Sequence, residues 1–181
     1  MASNILIIKA SCDICQNEID HIEIIAKMFG LIPEIVNLVD MVQFQQSIFH
    51  KGPYQYIYLC THASPYNFGE ADGSKLFSWE EFAQELCLAN CLDNDAILLL
   101  ACCRGGLKKV ADTLFLNCGN IDYVCGPRWK LTGADISTGF HVFIYNLESR
   151  REQPSIAVDR ASKATGYDFF CYDRVESEDA F

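Results

Sequence analysis

The sequence predicts an α/β protein whose mainly parallel sheet is flanked by helices on both faces. Three observations lead there. Short, continuously apolar segments recur along the chain, as in Ile5-Leu6-Ile7-Ile8, Tyr56-Ile57-Tyr58-Leu59-Cys60 and Ala96-Ile97-Leu98-Leu99-Leu100-Ala101. Strands buried on both faces read this way, whereas half-solvated strands alternate. Between these segments lie stretches with helical apolar spacing, and turn-forming residues punctuate the junctions. Repeated strand–helix units of this kind build a layered α/β domain.

Asn4–Lys9 is the first short strand. Residues 17–29 place Ile19, Ile22, Ile24, Ile25 and Met28 at spacing that suits an amphipathic helix, and Gly30 closes it. Residues 34–39 form a second strand and 40–50 a helix, broken by Lys51-Gly52-Pro53 before a strand at 54–61. The segment 63–77 is rich in Gly, Asn, Asp and Pro, and its Asp72-Gly73 pair is a hairpin signal. Ser78 caps the next helix, with Glu81 at the third following position, and that helix runs to about Leu92. Asn94-Asp95 turns into the strand at 96–101. A helix at 105–116, a strand at 121–126, a helix at 134–147, and a last helix and strand within 155–170 complete the pattern. Residues 1–175 read as a single domain and 176–181 as a solvated acidic tail.

Composition narrows the function. The longest apolar run, Ala96 to Cys103, is far short of the roughly 20 residues that span a bilayer. Met1-Ala2-Ser3-Asn4 has no basic character of a signal peptide, so the expected location is cytoplasmic. A formal net charge of −10 without basic clusters argues against nucleic-acid binding. The ten cysteines are expected to be mostly reduced core thiols, since Cys60, Cys87, Cys102 and Cys125 lie in apolar segments.

The strongest chemical feature is a pair of strand ends. One apolar run ends in Thr61-His62-Ala63, and another, about forty residues on, in Cys102-Cys103-Arg104-Gly105-Gly106. Open α/β sheets carry their sites at strand C-termini. There a histidine can activate a thiol that is otherwise mostly protonated. Leu99-Leu100-Ala101-Cys102-Cys103-Arg104-Gly105 resembles the nucleophile strand of the caspase-like (clan CD) cysteine peptidases, particularly the bacterial CHAT domains. Thr61-His62-Ala63 resembles their Thr-His-Gly motif. A hairpin, the Trp-Glu-Glu-Phe helix and the strand Tyr123-Val124-Cys125-Gly126-Pro127 follow in the family's order, so the likeness runs from about Asn4 to Leu147.

That resemblance implies a caspase/hemoglobinase-like sandwich and peptide-bond hydrolysis by a Cys–His dyad, with no cofactor and no metal. His62 is the implied base and acid. The nucleophile is Cys102 by its Cys-x-x-Gly match to Gly105, or Cys103 by an Ala-Cys-Arg-Gly match; the wider context favours Cys102. The amides of Cys102 and Ala63 are the implied oxyanion donors. Ala63 stands where the family has glycine, and alanine disfavours the positive φ that glycine permits. Arg104, Arg128 and Trp129 are expected to border the substrate groove. Glu70, Asp72 or Asp135 would meet a basic P1 residue, and Arg104, Arg128 or Lys130 an acidic one.

The expected partners are a protein or peptide substrate and a regulatory protein, with control by that partner, self-association or processing. Two alternatives stand beside this reading. One is an inactive interaction module of the same fold, which Ala63 favours. The other is a thiol redox protein using Cys12-Asp13-Ile14-Cys15. Cys87 and Cys91 are expected on one helical face as core residues, His21 and His50 as solvated, and His141 as a core histidine.

Overall fold

Strand and helix alternate along the chain, and the computed structural model describes residues 3–178. The order is β1 (Asn4–Lys9), α1 (Gln16–Met28), β2 (Ile32–Asn37), α2 (Met41–Ile48), β3 (Tyr54–Cys60), β4 (His62–Ala63), β5 (Asn67–Gly69) and β6 (Leu76–Ser78). It continues through α3 (Trp79–Leu88), β7 (Leu92–Ala101), α4 (Lys108–Asn117), β8 (Ile121–Pro127), α5 (Gly133–Glu148), α6 (Pro154–Thr165), β9 (Phe169–Asp173) and α7 (Arg174–Glu178). Six strands form the main sheet in the order β2-β1-β3-β7-β8-β9. Every neighbouring pair is parallel except β8 and β9, which run antiparallel.

Alternation along each strand divides the apolar side chains between two helical layers. Leu6, Ile8, Ile57, Leu59, Leu98 and Leu100 pack with Phe44, Phe82, Leu86 and Leu114 of α2, α3 and α4. Ile5, Ile7, Tyr56, Tyr58, Cys60, Leu99 and Ala101 pack with Ile19, Ile22, Phe140, Phe143 and Ala157 of α1, α5 and α6. The central strands are thus covered on both faces, which is why they carry no polar alternation. At about 1.5–3 kcal/mol for each fully buried Leu or Ile side chain, these two layers are the main driving force for folding.

Helices α2, α3 and α5 begin with side-chain caps. The Ser78 hydroxyl accepts the Glu81 amide at 3.0 Å, and the Asp40 carboxylate accepts that of Gln43 at 3.0 Å. Thr132 and Asp135 form a reciprocal capping box at the start of α5. The hairpin region becomes a separate three-stranded antiparallel sheet, β4-β5-β6, set directly after β3. Phe68 anchors it against Phe77, Trp79 and Phe82, with ring centroids 4.6–5.6 Å apart.

Three details depart from the sequence expectation. Strand β7 starts at Leu92, with a pairing irregularity before Ile97, so the Asn94-Asp95 turn is absorbed into an irregular strand start. Helix α3 ends at Leu88, which leaves Cys91 beyond it and buried while Cys87 is exposed. Residues 176–178 belong to helix α7, and Ser177 is buried there; 179–181 lie outside the described residues.

The turn after β7 is wedged against β8 by glycine. A Cβ at Gly106 would stand 2.1 Å from the Gly126 carbonyl oxygen, and one at Gly126 would stand 2.8 Å from the Gly105 carbonyl carbon. Neither contact can be relieved by a side-chain rotation. Gly106→Ala is therefore expected to lower unfolding stability by about 2 kcal/mol or more, read from the urea midpoint.

Candidate active site

Strand pairing decides which side chains can meet beyond the sheet edge. Cys60 of β3 pairs with Ala101 of β7, and both face the α1–α5 layer. Two residues further on each chain come His62 and Cys103, the positions of equal offset and equal parity. Thr61 and Cys102 are the intervening pair, and the Thr61 amide bonds the Ala101 carbonyl at 3.4 Å.

The two cysteines differ accordingly. Cys102 is 1% exposed and sits in the α2–α4 core layer, where burial drives its thiol far above the ordinary range. Its amide is spent on the Leu100 carbonyl at 2.8 Å, so it is not free to hold an oxyanion. Cys103 is half-buried, with Sγ 3.9 Å from the Leu131 carbonyl oxygen in the segment that leads into α5. Its amide makes no hydrogen bond among the described residues. Arg104 turns the chain with φ +63°, and the Gly105 amide closes the turn onto the Cys102 carbonyl at 3.2 Å. The Cys-x-x-Gly spacing that favours Cys102 thus marks a turn around a buried sulfur.

His62 is half-buried at the start of β4. Its Nε2 lies 3.0 Å from both carboxylate oxygens of Asp13, in the loop between β1 and α1. Neither Cys102 nor Cys103 is hydrogen-bonded to it. The Ser11 hydroxyl donates to Asp13 at 2.5 Å, and with His62 beside it holds that carboxyl below its usual range. Ser11 and the Cys12 amide in turn bond Glu70, at 2.8 Å and 3.0 Å, which stitches this loop to the β5–β6 hairpin. Ala63 has no positive φ, so alanine stands here without strain. The Ser64 amide bonds the Asn67 carbonyl at 2.8 Å; the ladder's alternation then turns the Ala63 amide away from β5.

Beside His62 opens a cleft of about 570 Å³, walled by Asp13, Glu18, His21, Gly133, Ala134 and Ser137. Glu18 Oε1 accepts the buried Cys60 thiol at 2.9 Å, and burial raises the Glu18 carboxyl above its ordinary range. The sequence expectation missed both Asp13 and Glu18 as site residues. Asp13 was legible only as part of Cys12-Asp13-Ile14-Cys15, and Glu18 only as a polar position of α1.

The remaining candidates lie elsewhere. Arg104, Arg128 and Trp129 are exposed outside this cleft: Arg128 lies 4.8 Å over the Phe170 ring, and Trp129 Nε1 donates to Asp168 at 3.3 Å. Asp135 is engaged by its capping box, Asp72 by the Ser74 amide at 2.9 Å, and Glu70 by Ser11 and Cys12. Cys12 and Cys15 are exposed free thiols; the Glu70 carboxylate pushes the Cys12 thiol up, the opposite of redox activation. His141 is only partly buried, edge-to-face with His21 at 5.9 Å between centroids. Among the described residues no cluster of three or more His, Cys, Asp or Glu residues could hold a metal, and no helix is long and apolar enough to cross a membrane.

No protein-family model matches the chain, and no curated protein does. The burial pattern predicts an order of thiol reactivity in the native protein. Cys15 and Cys87 are expected to be alkylated first, then Cys12, Cys103 and Cys171, while Cys60, Cys91, Cys102, Cys118 and Cys125 react only after denaturation. Timed iodoacetamide labelling with peptide mapping reads that order.

Proposed function

We propose that the protein is a cysteine endopeptidase of the caspase-like kind, with Cys103 as nucleophile, His62 as general base and acid, and Asp13 as the residue that positions the imidazole. The carrying observation is the equal offset of His62 and Cys103 from the Cys60–Ala101 pair, which favours one face for both. The strand order with its single antiparallel edge, and the small hairpin sheet after the histidine, support the caspase-like sandwich.

Asp13 accepts the Nε2 proton of His62 and so leaves Nδ1 as the basic nitrogen. That nitrogen takes the Cys103 thiol proton, and the thiolate adds to the scissile carbonyl. The amides of Ala63 and Cys103 are the free donors for the oxyanion, in place of the Cys102 amide. The imidazolium then protonates the departing amine as the C–N bond breaks. Water, deprotonated by His62, hydrolyses the thioester and restores the thiol. His62 and Cys103 are not hydrogen-bonded to each other, a looseness common in free enzymes.

Cys103→Ala is expected to abolish hydrolysis of a casein or peptide substrate. His62→Ala lowers kcat by about 10²–10⁴-fold, and Asp13→Asn lowers it by a smaller factor. Cys102→Ala leaves the chemistry in place at some loss of stability. Activity that survives Cys103→Ala but not Cys102→Ala overturns the assignment. The absent His62–Cys103 bond favours one second reading, an inactive module. That reading predicts alkylation of Cys103 at a rate unchanged by His62→Ala.

A further inference from the structure

Strand β9 forms one edge of the main sheet and runs antiparallel to β8. Antiparallel pairing sets two residues directly opposite one another, with their side chains on the same face. Here it sets Cys125 opposite Cys171. Among the described residues no other two cysteines are register partners. Both face the α1–α5 layer, Cys125 within its core and Cys171 packed against it.

Opposed residues in such a ladder alternate between hydrogen-bonded pairs and closer, non-bonded pairs. One step beyond the last register pair, the Arg128 amide donates to the Asp168 carbonyl at 3.2 Å, which marks those two as a bonded pair. Counted back from there, Pro127 and Phe169 are non-bonded, Gly126 and Phe170 bonded, and Cys125 and Cys171 non-bonded. Pro127 has no amide hydrogen to give, which fits the same phase. Cα atoms of a non-bonded pair stand about 4.5 Å apart. A disulfide spans about 4.4–6.8 Å between Cα atoms, so the backbone is already placed for one.

The two thiols differ in access. Cys125 is 0% exposed, and burial together with the neighbouring Cys171 sulfur holds its thiol protonated. Cys171, on the edge strand, is partly exposed. We propose that Cys125 and Cys171 form a reversible disulfide, made by hydrogen peroxide arriving at Cys171, which clamps the edge strand β9 to β8. Cys171 loses its proton and its sulfur attacks one peroxide oxygen; the O–O bond breaks, and the departing hydroxide takes up that proton as water. The Cys125 sulfur then attacks the sulfenic sulfur of Cys171. The S–O bond breaks, and the hydroxide leaves with the Cys125 proton as a second water. The two sulfurs give up two electrons and the peroxide takes them. A dithiol reductant reverses the bond by thiol–disulfide exchange.

The clamp closes the stretch of chain that holds α5 and α6, and so restricts the unfolded state. It also sits one residue before Gly126, against whose carbonyl Gly106 is wedged, and the Pro127 carbonyl accepts the Gly106 amide at 2.9 Å. Oxidation therefore ties down the strand on which the cysteine turn rests. Neither His62 nor Cys103 takes part, so the clamp is independent of the peptidase reading.

The test treats the native full chain with hydrogen peroxide, blocks the remaining thiols with iodoacetamide and maps peptides without reduction. A peptide joining Cys125 to Cys171 is expected, and dithiothreitol is expected to release both thiols. The oxidised protein is expected to melt about 5 °C or more above the reduced one. Cys171→Ser, a change at a partly exposed position, is expected to remove both the linked peptide and the rise in melting temperature. The clamp is overturned if Cys171 links to a different cysteine, or if it is driven to sulfinic acid while Cys125 stays free. A melting temperature unchanged by oxidation, or one that rises equally in Cys171→Ser, overturns it as well.

Discussion

The pairing of β3 with β7 is the constraint on which the site depends. Both strands are buried on two faces, so a slip of one residue would exchange every core side chain between the helical layers. That register therefore carries a large energetic penalty for error, and it fixes the phase in which the two chains leave the sheet. Cys60 opposite Ala101 sets the phase for His62 and Cys103 alike. The contact between Gly106 and the Gly126 carbonyl then holds the cysteine turn down on β8.

The two layers have unequal roles at that edge. The α2–α4 layer is sealed, and it takes Cys102 as a small core residue. The α1–α5 layer opens past Cys60 into the cleft, because Glu18 and Gly133 meet there in place of large apolar side chains. Partially buried acceptors on a packed floor are unfavourable for stability.

The fold class was legible because its signals are local: continuous apolar strands, the Ser78 cap, and glycines at turns. His62 was legible for the same reason, as the polar residue that ends an apolar run. The different surroundings of Cys102 and Cys103 were not, because they depend on a strand pair separated by about forty residues. Asp13 reaches His62 across 49 positions of sequence, and no local pattern announces such a partner. The helical turn at 174–178 was hidden by its acidic composition; Arg174 holds it by donating to the carbonyls of Phe115, Cys118 and Ile121.

Glu70 has a mechanical consequence. By bonding Ser11 and the Cys12 amide it fastens the loop that carries Asp13 to the hairpin that follows His62. The imidazole and its carboxylate therefore ride on one body, although they come from opposite ends of a βαβαβ stretch. Any hinge-like displacement of the hairpin carries both groups together, so their alignment survives the motion while the distance to the sulfur changes. In the proposed site the His62–Asp13 pair is thus one unit and the cysteine on the sheet the other.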